Sequence, residues 1–230
     1  MPNKNTRALA LTRDNPSPTV RMMAGRAIVV DAVFHVRGVH PTSPGPWLAE
    51  ADKIAWTDST GYGCIIRRSR GDGHLGGYVG VGPGHPMYGW TAHAIASAGV
   101  RVHGGVKYSA ACMSAANEDV SICHVPAHEA RAVPRQETVR AHREHDDLWW
   151  IGFECNEAYD AVPEPERSCA QSDVYDGTLD PVYRDEGFVY EQCTSLAAQL
   201  AAIEIGHDPQ EAIDGIPLPL GLVPDRQVRS

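Results

Sequence analysis

Five residues of this chain combine reactive side chains with suggestive surroundings. His74, His85 and His103 each stand beside a glycine, and Glu154 and Glu157 follow a tryptophan pair. Neutral imidazole is a common zinc ligand, and three protein ligands plus a water is the usual catalytic zinc arrangement. One chemistry is therefore a single divalent transition metal held by His74, His85 and His103, with Glu154 or Glu157 as general base, and Asp160 as a further carboxylate nearby. A second chemistry needs no metal. Residues 61–89 hold 10 of the 22 glycines, and His74, Tyr78, His85 and Tyr88 sit among them. Glycine inside strands is unfavourable unless the backbone bends or something approaches closely. With His103, Gly104 and Tyr108, these residues predict a ligand pocket with aromatic walls and convergent polar groups.

Other motifs carry less. Gly80-Val81-Gly82-Pro83-Gly84 resembles a phosphate cradle, but it lacks the lysine and Ser/Thr of a P-loop, and Pro83 removes a donor. No serine stands in a G-x-S-x-G elbow. Cys123, His124 and His128, with His142 and His145, fit zinc-finger spacing loosely, with one cysteine nearby. Arg67-Arg68-Ser69-Arg70 reads as a solvated hairpin tip, and Arg70-Gly71-Asp72 as a chance match to an adhesion tripeptide.

The elements that must position these groups can be read in outline. Residues 27–34 are a β-branched apolar run and predict a strand. Residues 62–68 and 75–81 predict a hairpin, because Gly71 and Gly73 supply turn chemistry between them. Residues 100–106 predict a further short strand, and residues 148–155 the most apolar one. Asp180, Pro181, Asp185 and Glu186 are start signals for a helix. Val189, Cys193, Leu196, Leu200 and Ile203 then recur at steps of four and three, which is one face of a helix over 188–205, and Gly206 terminates it. Strands first and one main helix late predict an α+β fold: a mainly antiparallel sheet with one principal amphipathic C-terminal helix packed on a face.

Residues 1–26 mix charge, proline and serine and predict a mobile lead-in. Residues 27–215 are expected to form a single α+β domain, with 129–147 as a charged, solvated helix. Residues 216–230, with their spaced prolines, predict an extended tail. The chain has 230 residues and a formal net charge of −9. Its acidic balance argues against general nucleic-acid binding, which needs clustered Lys and Arg. No run approaches the roughly 18 apolar residues of a membrane helix. Six cysteines without a CxxC pair, and no secretory signal, predict a cytoplasmic protein with mostly reduced thiols.

Four blocks taken in order resemble a known family. They are Gly73-His74-Leu75-Gly76-Gly77-Tyr78-Val79-Gly80-Val81, Gly84-His85-Pro86-Met87-Tyr88-Gly89, Val102-His103-Gly104-Gly105-Val106-Lys107-Tyr108-Ser109 and Trp149-Trp150-Ile151-Gly152-Phe153-Glu154-Cys155. The set is similar to a family of uncharacterised proteins encoded by actinobacteria and their bacteriophages. The resemblance covers about 61–109 and 148–160, makes 110–147 an insertion relative to the compact family form, and implies an origin rather than a reaction. If phage-encoded, the protein acts in the host cytoplasm. Where family members carry Asp-Cys-Ala-His, this chain has Glu154-Cys155-Asn156-Glu157, so a glutamate stands in place of a ligating or basic histidine.

The leading functional expectation is a small-molecule binding protein whose glycine/histidine/aromatic pocket takes a nucleotide-like ligand. The alternatives are the metal-assisted hydrolase and a structural or interaction protein of the virion.

Overall fold

The computed structural model describes residues 19–112, 117–123, 147–165 and 180–213. Its centre is a six-stranded antiparallel sheet. The strands are β3 (Ala32–Phe34), β4 (Lys53–Thr57), β5 (Gly63–Arg68), β6 (Leu75–Val81), β7 (Tyr108–Ala111) and β8 (Trp149–Glu154), in the spatial order β3-β4-β5-β6-β8-β7. A separate hairpin, β1 (Thr19–Met23) and β2 (Arg26–Val30), precedes it, and two short strands, β9 (Asp160–Ala161) and β10 (Val182–Tyr183), pair in parallel. Among the described residues, two α-helices follow the pattern of their caps. Thr91 accepts from the Ala94 amide to start α1 (Ala92–Ser97), and Asp185 accepts from the Phe188 amide to start α2 (Glu186–Glu204).

The α+β architecture expected from the sequence is the one observed. Strand alternation separates two cores. Cys64, Ile66, Leu75, Val79, Ile151 and Phe153 face α2, whose Val189, Cys193, Leu196 and Leu200 are fully buried against them. Helix and sheet meet closely because Gly77 has no side chain: a Cβ there would lie 2.6 Å from Cys193 Sγ and 2.5 Å from Phe153 Cζ. The opposite sheet face buries Ala55, Ile65, Tyr78 and Trp150 with Ile122. A disulfide joins Cys112 to Cys123, and buried Lys53 donates to the carbonyls of Glu118 and, at 2.8 Å, Cys123.

Several expectations are corrected. Residues 19–23, read as part of the mobile lead-in, form β1, and Ala24 and Gly25, both at positive φ, turn it into β2. The run 27–34 is split at Asp31 into β2 and β3. Residues 100–106 are not a strand. Gly104 and Gly105 take φ of 64° and 81°, which interrupts extended backbone, and pairing with β8 begins only at Tyr108. The helix is capped by Asp185 rather than Asp180, because Val182 and Tyr183 are extended. Arg68 is buried in an ion-pair network and is no solvated tip. The expectation of reduced thiols holds for the buried Cys64, Cys155 and Cys193 and is overturned at Cys112 and Cys123. Cys169, the charged helix 129–147 up to residue 146, His124, His128, His142, His145 and the tail 216–230 lie outside the described residues. Among the described residues no helix is long and apolar enough to cross a membrane.

Candidate functional site

The three histidines do not meet. His74 precedes β6 and His85 follows it, so a seven-residue strand holds them apart by about 20 Å. His85 is committed to structure: its Nδ1 accepts from the Met87 amide and its Nε2 donates to the Leu200 carbonyl of α2, both at 3.0 Å. Tyr88, at the same end of β6, packs on Trp149 with ring centroids 5.7 Å apart. His103 lies on the α2 side of the sheet. Its Nε2 is 2.6 Å from Asp160 Oδ2, and Asp160 Oδ1 accepts from Arg184 Nε at 2.8 Å. Glu157 joins this second group. It pairs with Lys107 at 2.7 Å and lies against Gly104, where a Cβ would be 2.5 Å from Glu157 Oε1.

The other predicted residues do come together. Across the sheet face turned away from α2, Gly76 stands between Arg67 and Glu154, and Gly152 between Tyr78 and Tyr108. The two glycines leave room that the long neighbours fill. A Cβ on Gly76 would collide with the Glu154 carboxylate, and one on Gly152 with the Tyr78 ring. Glu154 Oε1 accepts from the Tyr78 hydroxyl at 2.5 Å, and Glu154 Oε2 lies 2.8 Å from His74 Nε2. His74 Nδ1 meets Asp72 Oδ1, and Arg67 reaches the Tyr78 hydroxyl at 3.4 Å. The Tyr78 and Tyr108 rings meet edge to face at 5.4 Å. The Glu154 side chain remains 22% exposed, whereas those of His74 and Asp72 are 8% and 7% exposed.

The electrostatics follow from this geometry. Burial alone lowers a histidine, but hydrogen bonds to Asp72 and Glu154 outweigh it and raise His74 to about 9. Asp72 goes the other way: burial opposes ionisation, and the His74 hydrogen bond holds its carboxyl below the usual range. Burial pushes the Tyr108 phenol up, with Arg67 pulling it down and Glu154 adding to the rise. The cluster is thus an imidazolium between two carboxylates. With one ring nitrogen on Asp72 and the other on Glu154, His74 orients the Glu154 carboxylate. The expected metal set of His74, His85 and His103 is corrected on separation, and both ring nitrogens of His74 and of His85 are already engaged. Cys123, being in a disulfide, offers no thiolate to the loosely spaced histidines beyond it.

The His74 charge has a measurable consequence. Its pKa is about 9 in the folded chain and about 6.5 when unfolded. The stability it contributes is therefore fully present below pH 6.5 and is lost as pH rises through 9. Denaturation midpoints of the wild-type protein should fall across that window more steeply than those of His74→Gln, and the His74 ring resonance should titrate near 9. A ring midpoint at or below 6.5 contradicts the assignment.

Sequence reasoning missed Asp72, Arg67 and Arg68. The signal for Asp72 was its two-residue spacing from His74, within reach of a turn in which Asp72 also accepts from the His74 amide at 3.4 Å. A concavity of about 650 Å³ opens elsewhere, between the β1–β2 turn and the start of α2, lined by Met22, Gly25, Glu50, Asp185 and Glu186 among others. Its carboxylates are engaged: Asp185 caps α2, Glu186 binds Arg21, and Glu50 binds Arg68. None of the predicted site residues lines it.

No protein-family model matches the chain, nor does any curated protein or solved structure. The functional reading rests on the geometry.

Proposed function

We propose that this protein binds a small planar molecule, of nucleobase type, in the recess formed by Arg67, His74, Tyr78, Tyr108 and Glu154. The observation that carries the reading is the Glu154 carboxylate. Both its oxygens are fixed, by His74 and Tyr78, yet it keeps a partly exposed edge beside the Arg67 guanidinium. A fixed carboxylate accepts from ring and exocyclic N–H groups, a guanidinium donates to a carbonyl or ring nitrogen, and a tyrosine edge packs on an aromatic face. Among the described residues, the buried Arg67 Nε has no acceptor. A donor and an acceptor side by side against an aromatic wall suit a heteroaromatic ring better than a simple anion or an alkyl chain. The rest of the expectation goes with this reading: a small-molecule partner, a phage or actinobacterial origin and action in the host cytoplasm. The Cys112–Cys123 bridge adds a condition, since persistent disulfides belong to oxidising compartments.

The test is calorimetric titration with adenosine, guanosine, cytidine and uridine. At least one nucleoside should bind with one-site behaviour. Glu154→Gln should weaken it about tenfold to a hundredfold, as expected for loss of a charge-assisted hydrogen bond. Tyr88→Ala, at the far end of β6, should leave affinity unchanged. Absence of binding for all four, or equal loss in both variants, overturns the reading.

A further inference from the structure

We infer that the chain carries a divalent-metal site at the open edge of the sheet, formed by His35, His40 and Asp52 and separate from the Glu154 recess. Immediately after β3, the backbone folds into a tight turn in which the amides of Val39 and His40 both donate to the Val36 carbonyl, at 2.8 and 3.0 Å. That turn brings two imidazoles five residues apart in sequence over one carboxylate. One ligand atom from each of His35, His40 and Asp52 lies within 4.8 Å of the others, and no other such group occurs among the described residues.

The carboxylate is prepared for this role. Asp52 is 1% exposed, and its Oδ2 accepts from the Val36 amide at 2.6 Å, so the anchor of the turn is also the anchor of the site. Its Oδ1 lies 3.0 Å from His40 Nδ1 and 3.1 Å from Arg68 Nε. Arg68 does not cancel the local charge, because it is shared with Glu50 at 2.9 Å, leaving two carboxylates against one guanidinium. One negative charge is therefore left for a cation. His35 is exposed and makes no side-chain hydrogen bond among the described residues, so its ring is free to close the remaining distance. Tetrahedral zinc with ligand bonds of about 2.0–2.2 Å needs ligand atoms roughly 3.3 Å apart, a closure of up to about 1.5 Å that the exposed His35 side chain supplies by changing rotamer.

The proton balance is simple. Neutral His40 carries its proton on Nδ1 when it donates to Asp52. Metal binding requires the other tautomer, with the proton on Nε2 and the Nδ1 lone pair on the ion. Two imidazoles and one carboxylate form a set that suits zinc or another first-row divalent ion, with a coordination position left for water. The buried Arg68–Asp52 contact is the outer partner that fixes the ligating carboxylate.

The experiment is calorimetric titration of zinc into tag-free, chelator-treated and dialysed full-length protein. The expected result is one zinc per chain, with His35→Ala and His40→Ala each weakening binding by more than about tenfold. His93→Ala, which removes an exposed histidine of α1, should leave the affinity unchanged. Both ligand positions lie in a surface turn, and their urea midpoints should remain close to wild type, separating loss of ligation from loss of fold. Cobalt should give the visible absorption of a four-coordinate ion, reduced in both variants. Failure to bind zinc overturns the assignment. So does zinc binding that persists at wild-type affinity in both variants, which places the ion on other histidines of the chain.

Discussion

Replacing Arg68 with methionine is expected to lower the stability of the fold by about 3–5 kcal/mol, the usual loss when one partner of a buried ion pair is removed. The Arg68 side chain has 0% exposure and touches four partners besides Asp52: the Glu50 carboxylate at 2.9 Å, the Gly73 carbonyl at 2.8 Å, the Tyr183 hydroxyl at 3.2 Å and the Ala51 carbonyl at 3.4 Å. Methionine fills similar space but leaves Glu50 and Asp52 beside each other without their cation. The network extends further, because Glu50 also accepts from the Glu186 amide, and Glu186 accepts from Ala51 at 2.5 Å and from Arg21. One guanidinium thus joins the start of α2, the loop before β4, the end of β5 and β10. Urea unfolding at neutral pH measures the loss. The triple change Glu50→Gln, Asp52→Asn and Arg68→Met should recover much of the deficit. A loss below 1 kcal/mol for Arg68→Met alone would mean that the carboxylates reach water without it.

The second large effect lies in the helix–sheet interface. Leu196 and Leu200 have 0% exposure and stand mid-stripe on α2, over the sheet face that carries Ile66, Val79 and Ile151. Each change to alanine should destabilise by about 2–5 kcal/mol, through lost transfer free energy and the cavity left behind. The sheet cannot collapse to fill that cavity, because the close approach at Gly77 already fixes the helix against β6. The two unfolding curves should shift in midpoint with unchanged slope. A shift under 1 kcal/mol in both would show that α2 is not held by this face.

How much of this was visible in the residues alone varies by element, for physical reasons. β5, β6, β8 and α2 were legible because their apolar residues are buried, and burial imposes a period on sequence. β1 was not: its Val20 and Met22 are 60% and 63% exposed, and only Met23 reaches the core, so no inward pattern marks it. The stretch 100–106 misled because Val100 and Val102 alternate there while Gly104 and Gly105 take positive φ. At the site, His74, Tyr78 and Tyr108 were found through the glycines around them, and Glu154 through its place at the end of the tryptophan-rich strand. Glycine next to histidine does not say which end of a strand the histidine occupies, and that decided against His85. Charged residues in turns were read as solvated. Asp72 and Arg68 are buried because each has a partner distant from it or across a turn, which spacing along the chain does not reveal. The turn carrying His35 and His40 has no signature of its own, since its shape depends on the Asp52 carboxylate from the loop just before β4.

The strand order has a consequence for how the chain finds its fold. β3, β4, β5 and β6 are neighbours in sequence as well as in space, so each can add to the last by a local reversal. β8 breaks that progression: it joins β6 only after residues 82–148 have been looped out, and β7 then lies outside it. Loop closure is entropically unfavourable and slows assembly as sequence separation grows. The four-strand meander is therefore the natural early scaffold, and docking of β8 is the topologically demanding step. It is also the step that brings Glu154 and Gly152 beside Gly76 and Tyr78, since both arrive on β8. The Cys112–Cys123 bridge short-circuits 11 residues of the connection between β7 and β8. Oxidation thus acts on the search for that last strand as well as on the finished structure.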